Sequence, residues 1–222
     1  MRWIEESKSC SSIFLIQGHR GVGKTALVQS IAERLQRENR KSYACFFFKQ
    51  GMVGCDNLKQ LFSTLAYQLA INTTDLREHI GQAMIEDPAL PKKCPATQLQ
   101  RLIIDPFKFL LTSHPSPILI IDGLNECEEE KSQDLCLALI SQLLTDPTVT
   151  IRVIISGLSD RQYEHMRRTG LDLGWLDLDR PHGHVRTPCM VAIYGIIGTA
   201  FFFFPPMIRR HSPQPCIAPS RA

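Results

Sequence analysis

The sequence predicts an α/β fold, a mainly parallel β-sheet flanked by helices, followed by an irregular C-terminal tail. Three observations carry this. The apolar run Ile13-Phe14-Leu15-Ile16-Gln17 leads through a glycine-rich loop into residues 26–35, where Leu27, Ile31 and Leu35 recur at helical spacing. A second apolar run, Ile118-Leu119-Ile120-Ile121, ends in Asp122, the pattern of a strand buried on both faces with a carboxylate at its tip. Between and beyond them, β-rich and helix-periodic segments alternate. That alternation builds parallel strands joined by helices, with ligand loops at the strands' carboxyl ends.

Residues 43–48 are rich in β-forming side chains and make the second strand. Residues 57–70 form a helix with Leu58, Leu61, Phe62, Leu65 and Leu69 on one face, capped by Asp56. A second helix over 74–86 stops at Asp87-Pro88. Pro88, Pro91 and Pro95 mark a loop, and a third helix starts at Thr97 with Leu99, Leu102, Ile103 and Leu110 inward. Pro106 should kink it, because proline lacks the N–H and crowds the preceding turn. The helix after Lys131 carries Leu135, Leu139 and Leu143 inward and ends at Asp146-Pro147; residues 151–155 make a further strand. These aliphatic faces are core.

The glycine-rich loop reads Gly18-His19-Arg20-Gly21-Val22-Gly23-Lys24-Thr25, which is G-x-x-x-x-G-K-[ST], the phosphate-binding loop. Glycines let backbone amides turn around phosphate oxygens with no Cβ in the way. The helix N-terminus adds unpaired donors and partial positive charge. Gly18, Gly21, Val22, Gly23, Lys24, Thr25 and Ala26 are therefore the nucleotide-binding candidates. Lys24 would reach the β- and γ-phosphates, and the Thr25 hydroxyl would take one Mg²⁺ position. Asp122, at its strand tip, would hold the same Mg²⁺. Four residues on, Glu126 offers a carboxylate to polarise an attacking water as general base. The Glu128-Glu129-Glu130-Lys131 run behind it is a charged surface.

These blocks, with Phe46-Phe47-Phe48 and Leu61-Phe62-Ser63-Thr64-Leu65-Ala66-Tyr67-Gln68-Leu69, resemble the NACHT-type NTPase domains of fungal STAND proteins, and are similar to the nephrocystin-like N-terminal NTPase domain. The resemblance covers roughly residues 8 to 165. It implies ATP or GTP with Mg²⁺ as ligands, a strand order with residues 151–155 between the two motif strands, and a slow signalling switch that can self-associate. Two positions depart from the family pattern. The block after the second strand usually reads Asp-Gly-Leu-Asp-Glu-Cys, and here the inner acid is Asn125. The next strand usually ends in Ser-Arg-Pro; here Ser156 keeps the polar nucleotide-facing place, while Gly157 supplies no cation. Both departures bear on turnover more than on binding.

Composition bounds the rest. A chain of 222 residues with 44% hydrophobic content holds one sizeable α/β domain. A net charge of +3 and the lack of an aromatic-basic stripe argue against a nucleic-acid partner. The eight cysteines form no C-x-x-C pair, which fits a reducing cytoplasm rather than a disulfide or zinc framework. Glu5, Glu6 and Lys8 break any apolar leader.

The domain is expected over residues 1–168, as a truncated family member without a lid or winged helix, with an irregular tail over 169–222. No lysine follows Lys131, and seven of the fourteen prolines lie from Pro181 onward. Three readings of the tail compete. It is a membrane anchor built on the apolar stretch at residues 189–208, a core segment of a truncated domain, or a non-native ending joined near Arg168-Thr169-Gly170. The last is favoured, because the uncharged run is short for a span and broken by glycines. Three functions stand: a nucleotide-dependent switch with slow hydrolysis, a non-hydrolytic scaffold that binds nucleotide structurally or not at all, and, more weakly, a small-molecule phosphotransferase. No Asn-Lys-x-Asp motif marks a guanine reader.

Overall fold

Strand β1 (Ile13–Gln17) sends Ile13 and Leu15 to one face of a sheet and Phe14 and Ile16 to the other, and all four are buried. Strands β3 (Ile118–Asp122) and β4 (Arg152–Ser156) repeat the pattern. Leu119, Ile121, Val153 and Ile155 join Ile13 and Leu15, while Ile118, Ile120 and Ile154 join Phe14 and Ile16. Side chains alternate with period two, so burial on both sides requires helices on both faces. The computed structural model describes residues 12–38, 42–110, 116–179 and, as backbone alone, 184–186.

With β2 (Tyr43–Phe47), β5 (Leu173–Asp177) and β6 (His184–Arg186), the strand order is β2-β3-β4-β1-β5-β6. The first five strands pair in parallel and β6 pairs antiparallel with β5. Strand β4 lies between β1 and β3, as the resemblance implied. This is the P-loop NTPase fold, and it brings the loop after β1 and the tip of β3 to the same end of the sheet.

Strand β5 corrects one boundary. The sheet continues past Arg168, where the sequence suggested the domain's end. Gly174 and Asp177 are weak strand formers, yet β5 pairs with β1 from Ile13↔Leu173 to Gln17↔Asp177. The membrane, core-segment and non-native readings of residues 187–222 fall outside the described residues.

On one face, α1 (Lys24–Arg37) packs Val28, Ile31 and Leu35 against the sheet, with Leu27 at the margin. The other face carries α2 (Leu61–Asn72), α3 (Thr74–Glu86), α4 (Pro95–Leu99), α5 (Asp105–Phe107), α6 (Glu130–Thr145) and α7 (Asp160–Arg168). Several expectations change in detail. A 3-10 turn (Leu58–Gln60) precedes α2, and its cap is Asn57, whose side chain accepts the Lys59 N–H at 3.0 Å. Asp56 instead accepts from the Asn57 amide. The third helix begins at Pro95, where proline at the first helical position loses no hydrogen bond. Its Pro106 is accommodated by a π-helical stretch (Gln100–Ile104) just upstream, which joins α4 to α5. In α6 the buried face is Cys136, Leu137, Leu139, Ile140 and Leu143, and Leu135 is 44% exposed.

The β2 edge of the sheet is closed by side chains of α2. Gln68 accepts the Cys45 N–H at 2.8 Å and donates to the Cys45 carbonyl at 2.9 Å, and Asn72 donates to the Tyr43 carbonyl at 3.0 Å.

Candidate functional site

The loop between β1 and α1 runs through Gly21 at φ +87° and Gly23 at φ +104°. Gly23 is the N-cap of α1, in the left-handed region that a side chain would disfavour. No side chain caps the first turn and no acid lies within it, so the site carries the uncompensated partial positive charge of the helix. Thr25 and Ala26 are exposed at this end, and the Val22 N–H makes only a long contact, 3.4 Å, to the His19 carbonyl. The Lys24 side chain folds back over the loop and donates to the Gly18 carbonyl at 2.5 Å and the His19 carbonyl at 2.9 Å.

Asp122 is 2% exposed at the tip of β3. Its carboxylate receives a hydrogen bond from the Ser156 hydroxyl, and Thr25, Lys24 and Glu126 lie close enough to act on it. The two motifs, far apart in sequence, therefore meet. Burial is the largest influence on Asp122 and raises its pKa, against the lowering effect of the Ser156 and Thr25 hydroxyls. An ionised carboxylate held there is under-solvated, and a divalent cation would offset that cost. The donors are a carboxylate and a hydroxyl, a hard oxygen set that suits Mg²⁺. Among the described residues there is no cluster of three or more His, Cys, Asp or Glu placed to hold a metal. A cation here would thus draw its remaining ligands from phosphate and water.

Because the folded pKa of Asp122 is raised, its contribution to stability is fully present below the ordinary value of 3.8 and is lost as pH rises through the folded value. Asp122→Asn is therefore expected to raise the melting temperature at pH 7 by a few degrees, about 2–4 °C per kcal/mol recovered. The gain should shrink toward pH 4. A variant that melts lower than the parent at pH 7 would contradict this.

Ser156 corrects the sequence reading. It was expected to face nucleotide, but it is 1% exposed and its hydroxyl is committed to Asp122 while accepting the Gly123 N–H at 3.1 Å. It orients the carboxylate from behind. Glu126 ends a 3-10 turn (Leu124–Glu126), with its N–H on the Gly123 carbonyl at 2.7 Å. Its Oε2 accepts the Gln50 N–H at 3.3 Å, so the loop after β2 steadies it.

Asn125 and Gly157, the two departures from the family pattern, touch each other. Gly157 sits at φ +81°, and a Cβ there would lie 2.3 Å from Asn125 Oδ1, 2.7 Å from the Leu124 nitrogen and 2.9 Å from the Gly123 carbon. The β4 loop thus presses directly on the turn that presents Glu126. Gly157→Ala adds left-handed strain to a clash with main chain, and is expected to cost about 2 kcal/mol or more. Chemical denaturation measures this, and an unchanged midpoint would show that the turn yields freely.

Sequence reasoning missed two residues. Gln50 acts through its main chain, which no motif records. Asp179, just beyond β5, accepts the His19 N–H on both carboxylate oxygens, at 3.0 and 2.8 Å.

The model of the family described as Nephrocystin 3, N-terminal, matches residues 1–157 of the 222. The chain belongs to this family. In the nephrocystin 3 N-terminal match lie the loop, Asp122, Glu126 and Ser156, whereas β5 and Asp179 lie beyond it. A search of curated proteins gives no match. Similar solved structures include cbiO1 from Clostridium perfringens, part of an ABC transporter complex, at 16% identity and a TM-score of 0.40, covering 75% of this chain and 72% of that one. Another is an ATP-binding subunit of an ABC transporter, at 10% identity and a TM-score of 0.41, covering 85% and 83%.

Proposed function

We propose that this nephrocystin 3 N-terminal chain binds ATP or GTP with Mg²⁺ and hydrolyses it slowly, as a STAND-type signalling switch module of the NACHT class. The observation that carries the reading is the meeting of Thr25, Lys24 and Asp122 at the uncapped start of α1. In this reading the loop amides from Gly21 to Ala26 wrap the phosphates and Lys24 neutralises them. Thr25 and Asp122 hold Mg²⁺, whose charge stabilises the phosphate oxygens. Glu126 orients water and takes its proton. Nucleotide state would then bias the chain between two arrangements, which requires different affinities for each. Self-association and signalling partners belong to the same proposal, as does a cytoplasmic location. The cysteines support that location: Cys45, Cys94, Cys127 and Cys136 are free thiols. No described helix is long and apolar enough to cross a membrane.

A titration with labelled ATP and GTP, with and without Mg²⁺, tests the reading. Saturable binding that tightens with Mg²⁺ supports it, and no binding of either nucleotide ends it. The contact between Asn125 and Gly157 favours a second reading, a scaffold that binds nucleotide without turning it over. Where the family carries an acid and a cation, this chain packs an amide on a bare backbone. Phosphate release by the purified protein separates the two.

A further inference from the structure

We propose that Asp179 is a positioning residue of the phosphate-binding loop, a carboxylate supplied from the turn after β5 that clamps His19 and so sets the carbonyls that hold the Lys24 ammonium. The inference rests on the reading that this loop binds a nucleotide's phosphates.

Strand β5 lies alongside β1 in register, Gln17 opposite Asp177. The Leu178 N–H extends the ladder by donating to the Gln17 carbonyl at 3.1 Å. The chain then turns, with the Asp179 N–H on Asp177 Oδ1 at 3.0 Å. That turn delivers the Asp179 carboxylate to His19, 160 residues away in sequence. Both oxygens take the His19 N–H, and the imidazole Nδ1 pairs with Oδ1 as well. Leu178 packs beside Gly18, where an added Cβ would come within 3.2 Å of it. The loop's first turn is therefore fixed by a neighbouring strand.

Lys24 shows what this fixing accomplishes. Its ammonium is held by the carbonyls of Gly18 and His19, the two residues that the β5 turn touches. A loop free to rotate at His19 would carry those carbonyls, and the ammonium, away from the phosphates. A counter-effect is repulsion between the carboxylate and a triphosphate. Asp179 is 41% exposed, so water and salt screen that repulsion, whereas its bonds to His19 are direct and charge-assisted. The His19 main-chain amide is the first cause holding the Asp179 carboxyl below the usual range, and the charged acceptor persists at neutral pH.

The test compares the parent, Asp179→Asn and Asp179→Ala in three measurements: hydrogen exchange at the His19 amide, the dissociation constant of fluorescent ATP with Mg²⁺, and the melting temperature. In Asp179→Ala the His19 amide should exchange faster and ATP affinity should fall about tenfold. The melting temperature should stay within about 2 °C, since the residue is at the surface. Asp179→Asn keeps one acceptor oxygen and should fall between. Unchanged or tighter binding by Asp179→Ala overturns the proposal while leaving the nucleotide reading intact. Weaker binding with unaltered His19 exchange also overturns it. If Asp179→Ala fails to fold, the Asp179→Asn values decide by the same criteria. A parent that binds no nucleotide sinks the underlying reading, and this inference with it.

Discussion

Glu126→Gln is expected to bind nucleotide within about twofold of the parent and to release phosphate roughly 10²–10⁴ times more slowly, the usual range for loss of a general base. The amide has the size of the carboxylate and still accepts the Gln50 N–H, which lies 3.3 Å from Oε2. It cannot take a proton from water. The variant also removes a negative charge that acts on Asp122, and that change is small beside the loss of the base. Single-turnover phosphate release, set beside equilibrium titration, reads the two effects separately. Parent-like release would mean that another group takes the proton, and Glu126 would lose its assigned role. No release from the parent either would favour the scaffold reading.

Lys24→Ala should weaken nucleotide binding by about 100-fold or more, since hydrogen bonds to charged groups contribute about 1.5–3 kcal/mol each and this ammonium would serve more than one phosphate. The fold should persist. Lys24 opens α1 at the half-buried mouth of the loop, and alanine is the strongest helix former. A matched melting temperature with lost binding would locate the defect in the site. Equal affinity in variant and parent would show that phosphates are held somewhere other than this loop.

Much of the site was legible because each motif carries its own local context. A strand, a glycine-rich turn and a helix in that order leave few alternatives for Lys24 and Thr25, and four apolar residues before Asp122 announce a buried strand tip. The position of β4 between β1 and β3 came from resemblance alone; nothing in its composition specifies its neighbours. Spacing misled at Leu135. Each four-residue step overshoots a helical turn by about 40°, so Leu135 and Leu143 diverge, and the face that packs centres on Cys136 and Ile140. Gly157 looked like a loss of function, yet in the fold a Cβ has no room there. Asp179 was invisible because its partner is 160 residues away and its strand carries glycine and aspartate.

The carboxamide of Gln68 on the outer rim of β2 has a wider consequence. It satisfies both main-chain groups of Cys45 as a sixth parallel neighbour would, while Asn72 occupies the Tyr43 carbonyl. An exposed rim of this kind ordinarily templates aggregation or strand exchange. Here an incoming chain would have to displace the Gln68 and Asn72 side chains before it could take those main-chain groups. Continuous β-structure across that border would have to displace Gln68 and Asn72 first, which disfavours assembly by strand addition there.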